Sequence, residues 1–289
     1  MPFAQTTSAR LLLLAAIMAA GLALYWPSVY KVAYGVLHRH GSSHGVFIPF
    51  LSAYFIYLKW DRLKSLPIYY WPPGAAAMLL LLFVPLVVRD SFELQFIAYV
   101  MFAAVAVLFC LGKQIAKSVL FPILFTLAMI PIPQGLYGAM ADMTRHATFS
   151  VSLGVLSVFN IPFYREGWLI KLPNALLEVA ISCSGIRYLI SYFVFGLAYA
   201  YLFRKRNLSR AVLVAATIPI SLAASSLRLT IIFLATYYIS PRMAEYWPHV
   251  ILSWVVFFVI LFGLIFLDQH NLGRRNRPHD HGVATQYGH

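Results

Sequence analysis

Long apolar runs separated by short polar clusters dominate this chain. Reading the runs and their breaks predicts membrane-spanning helices near 11–30, 45–58, 74–89, 92–111, 119–137, 184–203, 211–239 and 249–267. A crossing helix needs about 20 mostly apolar residues. The 45–58 and 74–89 runs are short of that, so tilting, local thinning of the bilayer or flanking residues must complete them. Pro49, Pro85, Pro122 and Pro219 fall inside these runs, where neighbouring helices can satisfy the carbonyls that a proline frees. The first run follows Arg10 as a signal peptide would. It continues through Trp26 and Tyr30 without a small-x-small cleavage pattern, which makes it a retained span.

Between the fifth and sixth runs, residues 140–160 alternate apolar positions with Asp142, Arg145, His146 and several hydroxyls, the pattern of an interfacial amphipathic helix. The stretch is also long enough to be a ninth crossing. Next, IPFYREGWLIKLPN sets Gly and two prolines around alternating apolar residues, which predicts an extended or hairpin-like loop resting at the interface. The fold class expected is all-α: a polytopic integral membrane bundle of about eight transmembrane helices plus the interfacial helix. It forms one domain over residues 1–268, with a basic, His-containing, disordered cytoplasmic tail at 269–289.

Composition sharpens this picture. With 61% hydrophobic and 11% charged residues, disorder and an ordinary soluble domain are both disfavoured. The net charge of +13 would suggest nucleic acid in a soluble protein. Here the basic residues flank apolar runs, where cytoplasmic retention and anionic headgroups account for them, so no nucleic-acid partner is expected. Placing both termini inside puts 13 of the 22 Lys and Arg on the cytoplasmic side. The RKRNLSR cluster at 204–210 anchors this orientation: the sixth run goes from outside to inside and the seventh returns. The site this creates would face the extracytoplasmic side of the cell membrane.

That orientation brings three reactive side chains to one depth. At ~1.5 Å per helical residue, Cys183 lies ~31 Å above Arg204, Arg228 ~27 Å above Arg210, and His249 ~28 Å above Asp268. A thiol, a guanidinium and an imidazole can together perform acyl transfer: the thiolate attacks a carbonyl, the imidazole shuttles the proton, and the guanidinium stabilises the oxyanion or the thiolate. Blander readings stand beside these. Cys183 can be a small packing residue at a helix start, and His249, after Trp247 and Pro248, an interfacial anchor. Arg228 is harder to explain away, because a guanidinium at membrane depth costs several kcal/mol unless paired or hydrated.

Arg187, one turn after Cys183, can support the site or snorkel to the interface. Glu178 and Glu166 can supply a carboxylate or simply be solvated. Cys110 lies inside an apolar run as a lipid-facing or core thiol, so the two cysteines form no disulfide framework. His38, His40 and His44, with His279 and His281 in the tail, match metal-ligand spacing only loosely, so neither a metal nor another cofactor is expected.

At these residues the chain resembles the exosortase/archaeosortase family of integral membrane cysteine transpeptidases. LPNALLEVAISCSGIRYLISYF, SLAASSLRLTIIFL and EYWPHVILSWVVFF carry the resemblance in that order, and upstream Ser43-His44-Gly45 and REGWLIKLPN extend it over about residues 25 to 267. The resemblance implies Cys183 as nucleophile, Arg228 as oxyanion or thiolate stabiliser and His249 as general acid/base. Ser184, Gly185, Arg187 and Glu178 are supporting residues, in a catalytic core of about 174–267. Ile181 departs from the polar residue that many members carry two positions before the cysteine. Also implied are exported protein substrates bearing a C-terminal Pro-containing motif, one transmembrane helix and a basic cluster, cleaved at the outer interface through a Cys thioester for surface sorting or anchoring. Two other readings compete: a transporter or flippase using Arg228 to hold an anionic substrate, and a non-catalytic assembly scaffold.

Overall fold

The computed structural model describes residues 2–38, 42–181 and 184–275, and the side chains among them other than those of 2–7, 43, 246–249, 264–265 and 267–275. In chain order the helices are α1 (Pro2–His38), α2 (Phe47–Tyr57), α3 (Trp60–Lys64), α4 (Pro73–Leu82), α5 (Val84–Val87), α6 (Phe92–Leu111), α7 (Lys113–Phe125) and α8 (Gln134–Val158). A meander of β1 (Tyr164–Glu166), β2 (Leu169–Leu172) and β3 (Ala175–Glu178) follows, then α9 (Ile186–Phe203), α10 (Asn207–Tyr238) and α11 (Tyr246–Arg275).

The helical membrane fold matches the apolar patterning. Among the described residues, Ser8–His38, Phe92–Leu111, Ile186–Phe203 and Asn207–Tyr238 are long and apolar enough to span a bilayer. Lys113–Met129 with Gln134–Val158 qualifies as a bent pair, which gives four, or up to five, such candidates among the described residues by length and composition. His44–Tyr57, Pro73–Val87 and, within α11, Val250–Gly263 are shorter apolar stretches.

The span expected at 119–137 is interrupted. Its helix begins earlier, at Lys113, tightens into a 3-10 turn over Thr126–Met129 and stops, and the next helix leaves at 84°. Ile130-Pro131-Ile132-Pro133 is the cause. Proline disfavours the helical conformation for the residue before it, and with two prolines in three positions Ile130 is extended at ψ 121°.

The 140–160 segment is helical over most of its length, as expected. It belongs to the 25-residue α8, whose Ala141, Thr144, Arg145, Thr148, Phe149, Ser152, Leu153 and Leu156 form a buried stripe at helical spacing. Arg145 and the hydroxyls of Thr144, Thr148 and Ser152 point inward, while Asp142 and His146 are exposed together with Met143, Val151 and Val158. At the other end of the chain α11 continues through Arg275, seven residues past the expected boundary at 268; the remainder of the tail lies outside the described residues.

The chain divides into two compact units, Met1–Ala139 with Val194–Arg210, and Met140–Phe193 with Ala211–His289. In the first, α6 packs against α1 through Val32, Phe96 and Val100, and against α4 through Met78, Phe102 and Ala106. Cys110 is fully buried among Leu111, Ile115 and their neighbours, which makes it a core thiol. Phe121 stacks on Tyr201 at 3.8 Å, and Lys59 lies 4.8 Å from the same Tyr201 ring.

In the second unit the meander roofs a core of Phe149, Leu153 and Leu156 from α8 and Leu229 and Phe233 from α10. Strand alternation does this: Ile170 and Leu172 point into that core while Leu169 and Lys171 face out. β1 turns into β2 across Gly167-Trp168, with Gly167 at φ +59° as the first of the two loop residues, a conformation glycine adopts without penalty. β2 turns into β3 across Pro173-Asn174, and the Asn174 amide donates to the carbonyls of Thr236 (2.8 Å) and Tyr237 (3.2 Å) near the end of α10. The expected interfacial loop is thus an ordered three-stranded sheet tied to a long helix.

Candidate functional site

The segment between the meander and α9 is short and held at both ends. Val179 is buried and its amide donates to the Trp168 carbonyl at 3.0 Å. Ser182 and Cys183 lie outside the described residues. On their far side Ser184 is fully buried, its amide bonds to Ile181 O (3.0 Å), and its Oγ accepts from Ile186 N (3.3 Å) at the first turn of α9. That last contact places a hydroxyl acceptor at a helix start, where otherwise unsatisfied amides need one.

Gly185 follows in a left-handed conformation, φ +82°. A Cβ at this position would overlap the Ser225 hydroxyl and come within 2.6 Å of Ser225 Cβ. The Ser184-Gly185 pair therefore does two things. It ends one segment and starts a helix, and it lets α10 approach as closely as its small residues allow.

Those small residues set the position of Arg228. Ser221, Ala224, Ser225 and Ser226 are buried on α10, and the Ser152 hydroxyl of α8 donates to Ser226 O at 3.1 Å. Two residues later Arg228 is also buried, 3% exposed. Its Nη1 donates to Ser253 Oγ of α11 at 2.9 Å, and its guanidinium carbon lies 5.2 Å from the centroid of the Tyr188 ring of α9. The Tyr188 hydroxyl in turn donates to Ser253 O at 2.7 Å. Three helices thus meet at one guanidinium. A buried cation is held by a hydroxyl and a π face, and a neighbouring tyrosine steadies the same serine.

Of the residues singled out in the sequence, the structure brings Arg228, Ser184 and Gly185 into this one unit. Position 249 is in the first turn of α11, four residues before Ser253, while the His249 side chain lies outside those described. Arg187 is exposed on α9 and Glu178 exposed at the end of β3. Ile181 is half exposed. His38 stacks on Tyr34 at 4.0 Å in the other unit, and His40, His279 and His281 lie outside the described residues. Among the described residues no three His, Cys, Asp or Glu side chains gather as a metal would require.

Sequence reasoning missed Tyr188, Ser253 and Arg145. The first two carried a usable signal: each stands one helical turn, four positions, from a residue already under suspicion, Ser184 and His249. Arg145 was visible only as part of a polar pattern, whose buried side the sequence assigned to solvent or headgroups.

Against known proteins, the family model described as transmembrane exosortase matches residues 36–266, about four fifths of the chain. No curated protein and no solved structure matches it.

Proposed function

Because this chain belongs to the transmembrane exosortase family, and that family supports a membrane transpeptidase-like role in general, we propose that it is a cysteine transpeptidase or protease. Its substrates are exported proteins with a C-terminal sorting signal, cleaved at the extracytoplasmic face of the cell membrane. The observation that supports this most is Arg228. It is a buried guanidinium directed at Ser253, one turn from position 249, and at Tyr188, in the first turn of the helix that begins three residues after Cys183. A cation kept out of water at that junction suits a task of stabilising charge, since its cost is offset only by what it holds.

In this reading the Cys183 thiolate attacks the scissile carbonyl carbon, forming the C–S bond and pushing the carbonyl electrons onto oxygen. Arg228 stabilises that oxyanion or, before attack, the thiolate. Collapse breaks the C–N bond, and protonated His249 gives its proton to the departing amine. The membrane helix of the substrate leaves and a thioester remains. Water or an acceptor nucleophile, losing its proton to His249, then attacks the thioester and frees the thiol. The extended signal motif, the single helix and the basic cluster of the substrate would follow the same order from outside to inside as this chain's own charges.

The test is co-expression of an exported protein carrying such a signal and a C-terminal tag with wild-type enzyme and with Cys183→Ala. Tag loss with wild type alone, together with a thiol-sensitive covalent adduct, is the expected result. Equal processing by both proteins would assign the thiol a packing role and remove this function.

A further inference from the structure

Among the described residues only two charged side chains are buried, Arg228 and Arg145. Arg145, 6% exposed, lies on α8 and has no carboxylate partner among those residues. An uncompensated buried cation is a costly choice where leucine or methionine has similar reach. What it touches explains the choice. Its Nη2 donates to the Val179 carbonyl, and its guanidinium carbon lies 4.0 Å from the centroid of the Trp168 indole. Val179 and Trp168 are themselves joined, amide to carbonyl, at 3.0 Å. One planar side chain therefore grips both residues of the bridge that closes the meander, by a hydrogen bond at one and a cation–π face at the other.

We propose that Arg145 is a positioning residue of the transpeptidase. With Trp168 it clamps the chain to α8 at Val179, four residues before Cys183. This rests on the catalytic role assigned above to Cys183. A second restraint lies just beyond the cysteine, where Gly185 packs onto Ser225 of α10. Only residues 180–184, Cys183 among them, separate the two restraints in the sequence, and the abutments on either side are Arg145 and Ser225. Loosening either abutment would leave every reacting group present but displaced, and a displacement of about 1 Å can cost a factor of about 100 in rate.

The experiment uses the full-length protein with Cys110→Ala, so that Cys183 is the sole thiol. Two quantities are read in Arg145→Gln, Trp168→Ala, Trp168→Phe and the Arg145→Gln/Trp168→Ala pair. One is the pH dependence of alkylation by N-ethylmaleimide; the other is steady-state cleavage of the tagged substrate described above. Trp168→Ala leaves the arginine charge in place and removes the face that holds it, together with that ring's contacts to His146 (4.4 Å) and Phe149 (6.2 Å), whereas Trp168→Phe keeps an aromatic ring at the position. The clamp predicts that Trp168→Ala and Arg145→Gln both move the alkylation midpoint away from that of the parent, and in the same direction. Each should lower kcat by roughly 10- to 100-fold with KM nearly unchanged, and the double variant should be no worse than either. Trp168→Phe, which keeps a π face, should stay within about threefold of the parent.

An unmoved midpoint in Trp168→Ala, additive losses in the pair, or a rise in KM with kcat intact would each overturn the clamp. If Arg145→Gln does not accumulate, the two Trp168 variants decide alone. The two proposals fail differently. Cleavage by Cys183→Ala removes the catalytic reading, whereas an inactive Cys183→Ala beside a fully active Trp168→Ala removes only the clamp.

Discussion

The Arg228 guanidinium donates to Ser253 Oγ at 2.9 Å, and Ser253 stands four residues beyond position 249 on the same helix. The arginine therefore touches α11 one turn from the proposed acid/base residue while resting on Tyr188 of α9. Its fork serves two partners at once, a hydroxyl in its plane and an aromatic ring against its face, which a point charge cannot do.

Arg228→Lys should consequently behave almost as badly as Arg228→Ala. Both should insert and accumulate, and cleavage of the tagged substrate should fall by about 100-fold or more in each, the range seen when an oxyanion donor is removed. Lysine activity within a few-fold of wild type would show that charge alone suffices.

Tyr188 separates into two contributions. Tyr188→Phe loses the hydrogen bond to Ser253 O but keeps the ring under Arg228, and should cost about 0.5–1.5 kcal/mol of stability with activity largely retained. Tyr188→Leu loses both and should depress cleavage more than it depresses the unfolding temperature. Equal effects of the two substitutions on cleavage would argue against the π contact.

Gly185→Ala meets both a left-handed backbone and the Ser225 side chain. Overpacking of this kind costs about 1–3 kcal/mol, with backbone strain added, so the melting temperature in detergent should drop clearly. Adding Ser225→Gly removes the overlap but not the strain, and should recover part of the loss. No recovery at all would place the whole cost in the backbone.

The meander can be probed by alternation. Ile170→Ala removes a fully buried side chain and should cost about 2–5 kcal/mol, whereas Lys171→Ala, facing out, should stay within about 0.5 kcal/mol. Thermal unfolding of the two variants side by side reads this directly. A tolerant position 170 would mean that the strands do not roof the core.

Much of this was legible in the chain. The runs that became α6, α9 and α10 were strongly apolar and lacked internal breaks except for Pro219, which α10 accommodates, so hydropathy alone found them. Cys183, Arg228 and His249 were singled out because a thiol, a guanidinium and an imidazole are uncommon beside long apolar runs, and the exosortase resemblance is borne out by the family match. Three things were obscured for physical reasons. Apolarity counts residues but does not see that the closely spaced Pro131 and Pro133 interrupt the helix at Ile130. Alternating polarity in α8 reads as a wet face, yet Thr144, Arg145, Thr148 and Ser152 look inward because hydroxyls there bond to backbone on their own helix or on α10. The four-residue strands were too brief to distinguish from a loop until Ile170 and Leu172 had a core to enter.

One turn of that sheet offers a practical handle. A Cβ at Gly167 would meet nothing within 4 Å, and it sits at the tip of a hairpin whose neighbouring strand is anchored through Asn174 and Val179. Loop tips of this kind are where insertions are best tolerated. A short epitope or a biotinylation sequence placed there would be displayed away from Arg228, and labelling intact cells through it would report on which side of the membrane the meander lies.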